Sequence, residues 1–188
     1  MNVRLRNLLV FFLLAFPFAA LADDYADAIK VFREAKGSSQ FFGKSYGYAV
    51  FPTIGKGGLV IGAAHGKGRV YAKGAYVGDS SITQLTVGAQ LGGQAYSQIV
   101  FFEDKRAYDQ FTSGNFEFGA QATAVAIVAG ASAQAGTTGP SAGASGTQHH
   151  AKVAARYHRG MAVFTIAKGG LMYEASIGGQ KFEYSAKK

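Results

Sequence analysis

The chain has 188 residues, 48% of them hydrophobic, with 19 Lys and Arg against 11 Asp and Glu, a formal charge of +8, and no cysteine. That composition excludes a disulfide-stapled scaffold, a thiol enzyme and a cysteine-ligated metal centre, and it is too apolar for a disordered chain. The positive excess either keeps the protein soluble or favours anionic partners, lipid headgroups and glycans suiting an exported protein better than nucleic acid.

Export is expected from the first residues. Arg4 and Arg6 precede an uncharged apolar run from Leu8 to Phe16, and Ala20-Leu21-Ala22 supplies the small-residue pattern of a signal-peptidase site. The run is shorter than the roughly 20 apolar residues that a membrane-spanning helix needs. The expected organisation is a signal peptide over 1–22, cleaved after Ala22, and a single domain over 23–188 located in the periplasm. Loss of Arg4 and Arg6 leaves 17 basic residues against 11 acidic ones, a charge of +6.

Over residues 24–36, Tyr25, Ala28, Ile29, Phe32 and Ala35 recur at helical spacing, with Lys30, Arg33, Glu34 and Lys36 between them. This predicts an amphipathic helix capped by Asp23 or Asp24 and stopped by Gly37, its apolar side facing either its own domain or a membrane surface. From Tyr46 to Phe102 the period becomes two. Alternating strands are expected there, with Gly66, Gly68, Gly78-Asp79 and Gly92-Gly93 as hairpin punctuation. Lys56-Gly57-Gly58-Leu59 recurs as Lys168-Gly169-Gly170-Leu171. Glycine permits tight turns and an ammonium is costly to bury, so these motifs predict hairpins with basic tips.

Asp104 caps a short predicted helix over 103–113, with Ala107, Tyr108 and Phe111 inward and Gly114 as its stop. Residues 116–128 read as strand, and 129–147, rich in Gly, Ala, Ser and Thr, as a surface loop or closely packed small-residue strands. Residues 153–184 return to strand. The expected fold class is α+β, a mostly antiparallel β core, barrel-like or sandwich, with an N-terminal amphipathic helix and a short central helix.

Enzyme signatures fail one by one. His65, His149-His150 and His158 lack the partners and spacing of a metal site. Ala142-Gly143-Ala144-Ser145-Gly146 falls short of a nucleophile elbow, and Gly62 to Gly68 lacks both the spacing and the hydroxyl residue of a phosphate loop. No enzyme activity, cofactor or metal is therefore expected. Lys56, Lys67, Arg69 and Lys73, by contrast, fall within eighteen positions, and Lys168 and Lys181 belong to the second copy of the motif. They form either a patch for phosphate groups or a set of solvated turn lysines protecting sheet edges.

The motifs together resemble the SYLF family of lipid-binding domains. The matching residues are Gly47-Tyr48-Ala49-Val50-Phe51-Pro52, Ile54-Gly55-Lys56-Gly57-Gly58, Gly62, Leu91-Gly92-Gly93-Gln94, Phe101-Phe102, Ala107, Phe111, Gly119-Ala120, Lys168-Gly169-Gly170-Leu171 and Ile177-Gly178-Gly179-Gln180. They span nearly the whole of 23–188 in order. The resemblance implies phospholipid binding, with Lys30, Arg33 and Lys36 at the positions of the family's basic amphipathic helix. Some eukaryotic members engage actin. An expected signal peptide routes this chain away from actin and makes it similar to exported bacterial members, whose implied ligand is an anionic phospholipid membrane surface. The expected lipid-binding residues are Lys56, Lys67, Arg69, Lys73, Lys30, Arg33 and Lys168. Two other functions stay open: a structural β protein of the outer membrane, and a carrier holding an acyl chain inside the β core. The sequence does not fix the oligomeric state.

Overall fold

Helical spacing becomes helix where a cap is available. In the computed structural model, which describes residues 23–58, 61–87, 94–119, 122, 124–127, 156–168 and 177–188, helix α1 runs Asp24–Glu34. The Asp23 carboxylate accepts from the Tyr25 backbone N–H at 3.2 Å, satisfying one of the free donors of the first turn. The helix ends short of Gly37, where Ser38 Oγ donates to the Phe32 carbonyl at 2.6 Å. The second helix, α2 (Lys105–Phe111), has the predicted cap: Asp104 Oδ1 accepts from the Ala107 N–H at 2.8 Å.

Among the described residues eight strands form one sheet: β1 (Gly47–Gly58), β2 (Ile61–Ala72), β3 (Ala75–Val87), β4 (Gln94–Phe102), β5 (Phe116–Glu117), β6 (Val125–Ile127), β7 (Met161–Lys168) and β8 (Gln180–Ala186). Their order is β5-β8-β3-β2-β1-β4-β7-β6. Every pairing is antiparallel except that of β6 with β7. Of the two packings left open by the sequence, the described residues form the barrel-like one, a single curled sheet. Strands β8 and β4 lie four positions apart in the order, about 19 Å on a flat sheet. Yet Gln98 of β4 and Gln180 of β8 are hydrogen-bonded at 2.9 Å, and the rings of Phe51 (β1) and Phe182 (β8) lie 5.6 Å apart. The sheet therefore folds over on itself as a half-barrel.

Curling creates two cores. The concave side holds Ala49, Phe51, Ile54, Val70, Ile82, Val100, Phe102, Phe182 and, from α2, Ala107 and Phe111. Phe111 meets Phe102 at 4.9 Å and Phe182 at 5.0 Å, so α2 closes one end of the concavity. On the convex side, Ala28 and Phe32 of α1 pack with Phe41, Tyr48, Val50, Ile99, Phe101 and Phe164. Full burial of Phe32 contributes about 2–3 kcal/mol. The apolar stripe of α1 is thus spent on its own domain.

Several glycines have a different purpose from the one their spacing predicted. Gly66 and Gly68 lie in mid-strand in β2, where a Cβ would come within 2.7 Å of Ile54 Cγ1 and 2.5 Å of Phe51 Cδ1 respectively. They are there so that β1 side chains can lie flat across β2. Gly78-Asp79 likewise falls inside β3. The actual β2–β3 turn is Lys73-Gly74, both with positive φ (49° and 82°), as a two-residue hairpin turn matching the strand twist requires. Among the described residues of 116–128, strand is found at Phe116–Glu117 and Val125–Ile127. The expected signal segment 1–22, Gly92-Gly93, the stretch 129–147, His149-His150 and residues 169–171 of the second motif lie outside the described residues.

Candidate functional site

The seven basic residues singled out by sequence are distributed over both faces and both ends of the sheet. Lys67 lies on the convex face, exposed, and pairs across the strands with Thr53. Thr53 sits at a bulge in β1, where the register with β2 shifts between Val50 and Thr53. Pro52 occupies the bulge, having no N–H to lose, and its carbonyl accepts from Ser97 Oγ at 2.7 Å. From β7, Lys168 Nζ reaches the same Thr53 hydroxyl at 2.8 Å. Thr53 therefore holds the Lys168 ammonium and has Lys67 as its cross-strand neighbour. Neither lysine belongs to the ion pairs of the described residues. Alongside lie Gly55, with open space where a Cβ would be, and His65, whose Nδ1 is 3.3 Å from Thr83 Oγ1. The strip is small, polar and cationic.

The other five candidates stand apart from that strip. Arg69 is committed to holding α1 in place: its guanidinium pairs with Asp23 at 3.0 Å and stacks over Tyr25 at 4.1 Å. Lys73 lies at the β2–β3 turn, six residues and about 20 Å along the strand from Lys67, with its ammonium 5.5 Å from the Tyr46 ring centre. Lys56 pairs with Ala64, a concave-core residue, and so projects on the opposite face from Lys67. On α1, Lys30 and Arg33 are exposed, the Arg33 guanidinium resting 4.4 Å over Phe42.

Sequence reasoning missed a second constellation inside the curl. Gln84, Tyr96, Gln98, Thr165 and Gln180 all face the concave side and all are buried. Gln84 Nε2 donates to the Gly178 carbonyl at 2.9 Å, which turns its Oε1 towards Gln180. Gln180 Nε2 then serves three acceptors, Gln84 Oε1 at 3.3 Å, Tyr96 Oη at 3.3 Å and Gln98 Oε1 at 3.2 Å. Gln98 Nε2 returns a bond to Gln180 Oε1 at 2.9 Å. This network ties β8 to β4 and so fixes the closure of the curl. Burial raises the ionisation of the Tyr96 phenol to about 12, against a lowering by the Gln180 hydrogen bond, so it stays a neutral O–H at any ordinary pH. Thr165 Oγ1 has no hydrogen-bond partner among the described residues. The only sequence signal for this group was polar residues at inward positions of otherwise apolar strands.

A family model described as "Ysc84: Las17-binding protein actin regulator" matches residues 83–187. The chain belongs to this family. The match covers more than half of the chain and agrees with the SYLF motifs, the mark of a domain family that is lipid-binding in general. Among curated proteins, Beta cell expansion factor A of Aeromonas veronii is 32% identical over 106 residues, covering 54% of this chain and 38% of that protein. The chain thus spans well under half of that relative. All five buried polar residues fall within the family match, whereas of the seven basic candidates only Lys168 does.

Proposed function

We propose that this SYLF domain is a non-enzymatic phospholipid-binding module of the bacterial periplasm or envelope, which recognises anionic headgroups through the convex strip of Lys67, Thr53 and Lys168. One observation carries the reading: the Lys168 ammonium meets the hydroxyl of Thr53, whose cross-strand partner is the exposed Lys67, and neither lysine belongs to the ion pairs of the described residues. A headgroup phosphate accepts from lysine and hydroxyl donors alike. Exposed Lys30 and Arg33 add to the attraction from the neighbouring helix. Arg69, Lys73 and Lys56 contribute to the overall positive field but not to this strip. Actin regulation and Las17 binding belong to the family description, and the expected export of this chain argues against carrying them over.

Co-sedimentation with phosphatidylglycerol-containing and purely zwitterionic vesicles, at low and high salt, tests the proposal. Binding should require the anionic lipid and fade with salt. Each lysine is worth roughly 1 kcal/mol at an anionic surface, so Lys67→Ser with Lys168→Ser should weaken binding at least about tenfold and flatten its salt dependence. If the double variant sediments like its parent, the strip is not the headgroup site.

A further inference from the structure

Among the described residues, positive φ occurs at two positions that are not glycine, Lys73 (49°) and Arg159 (52°). Each is followed by a glycine at φ 82°, Gly74 and Gly160, and each pair makes a two-residue turn. Ala72 pairs with Ala75 across the first, and His158 with Met161 across the second. Such turns favour Asn-Gly, because a left-handed backbone crowds the Cβ of a long side chain. Gly160 is needed for a further reason, since a Cβ there would fall 2.8 Å from Arg106 Nη2. Packing calls for no cation at Lys73 or Arg159: both are exposed and outside the ion pairs of the described residues. Strain of this kind gathers at functional sites.

The two turns stand on one rim of the sheet. Lys73 N–H donates to the Tyr46 carbonyl at 3.0 Å, Tyr46 N–H to the Phe102 carbonyl at 2.8 Å, and Glu103 N–H to the Gly160 carbonyl at 2.8 Å. Lys187, just past β8, joins the rim by donating its N–H to the Val77 carbonyl at 2.9 Å, and exposed Lys44 lies in the turn leading into β1. Two acids at this end, Asp104 and Asp109, already pair with Arg106 and Lys105. That leaves Lys44, Lys73, Arg159 and Lys187 against Glu103. In strand order Lys187 is two positions from Lys73, and Lys73 is three from Arg159, about 10 and 14 Å along the rim. The ammonium groups of Lys73 and Lys187 are steadied by aromatic rings, 5.5 Å from the centre of Tyr46 and 5.1 Å from that of Tyr76.

Cations strung out at such intervals suit an extended chain with a charge on each repeat better than one compact anion. An acidic peptide would be held by side-chain pockets or by an open strand edge. The rim offers turns instead, and the backbone groups named above are already bonded to one another. Half-buried Tyr46 and Tyr76 bring hydroxyls and ring surface beside the cations, matching the hydroxyls and flat C–H faces of sugar rings. We infer that this rim binds an acidic glycan, its repeated anionic groups meeting Lys187, Lys73 and Arg159. The inference does not rest on the phospholipid reading, because Lys67 and Lys168 lie on the convex strip and not on this rim.

The test titrates the full chain with oligogalacturonate at low and high salt, beside a neutral maltodextrin and polyglutamate of equal charge. The uronate chain should bind and be released by salt, and the maltodextrin should not bind. Lys73→Asn with Arg159→Asn should weaken uronate binding about tenfold, the size of two lost exposed ion pairs, and flatten its salt dependence. The same variant should melt at or above the parental temperature, because Asn-Gly relieves both turns, so weaker binding cannot be ascribed to misfolding. Lys73→Arg with Arg159→Lys should bind like the parent, since the rim presents point charges and no bidentate fork. Lys67→Ser with Lys168→Ser should leave uronate binding nearly unchanged, which separates a failure of the rim from a failure of the convex strip. Equal or tighter binding of polyglutamate would make the rim a peptide site and overturn the glycan assignment. No uronate binding, binding indifferent to the Asn variant, or a lower melting temperature for that variant would overturn the inference.

Discussion

The two faces of the sheet use the same strands for opposite ends. On the concave face polar side chains are buried and tied to one another; on the convex face charged ones are exposed and, at Lys67 and Lys168, left outside the ion pairs of the described residues. Alternation alone explains how one strand serves both: in β4, Tyr96, Gln98, Val100 and Phe102 look inwards while Ile99 and Phe101 look outwards. The contrast teaches that polar residues in this fold are not interchangeable. The side-chain amide of Gln180 in the concavity is held by several neighbours, so removing it orphans others. A lysine on the convex strip can be removed with little effect on the fold.

The largest expected effect therefore lies inside the curl. Gln180→Leu takes from the Gln98 amide and the Tyr96 hydroxyl their shared partner, and should lower stability by about 3 kcal/mol in urea titration. Combining it with Gln98→Leu should restore part of that loss, since the two side chains are each other's main partners; additive losses would show that they act separately. Next comes alkaline pH. The Tyr96 phenol ionises at about 12 in the fold against 10.0 when exposed, so the unfolded chain releases its proton first. The stability that this neutral phenol contributes is complete below pH 10 and is lost as pH rises towards 12, by about 2 kcal/mol, and Tyr96→Phe should flatten that part of the profile.

The smallest effect belongs on the convex side. The Arg69–Asp23 pair is about one-third to one-half exposed, so Arg69→Met should cost under about 1 kcal/mol of global stability and depend on salt. Its signature should be local, with faster hydrogen exchange in α1 than in β1 or β4. Equal exchange throughout would mean that Phe32 and Ala28 hold the helix unaided.

How far the site was legible follows from the same division. Lys67 and Lys168 were recognised because exposed charge beside glycine is visible in any sequence. That Lys168 reaches Thr53, the cross-strand partner of Lys67, was not, because 115 residues separate Lys168 from Thr53 and the bulge at Pro52 sets which side chains share a face. Arg69 looked like a free cation until its pairing with Asp23 placed it under α1. Gly66 and Gly68 looked like turns because glycine marks a turn and a close approach alike, and only the neighbours distinguish the two.

Local physics was enough for the helix caps at Asp23 and Asp104, the period-two strands, the apolar stripe of α1 and the family motifs, since each depends on residues a few positions apart. The curl, the division of the basic residues between faces and the Gln84–Gln180–Gln98 network were decided only by tertiary structure. They depend on β8, from the end of the chain, crossing to meet β3 and β4, and a strand's pattern states which side is apolar but not which distant strand will face it.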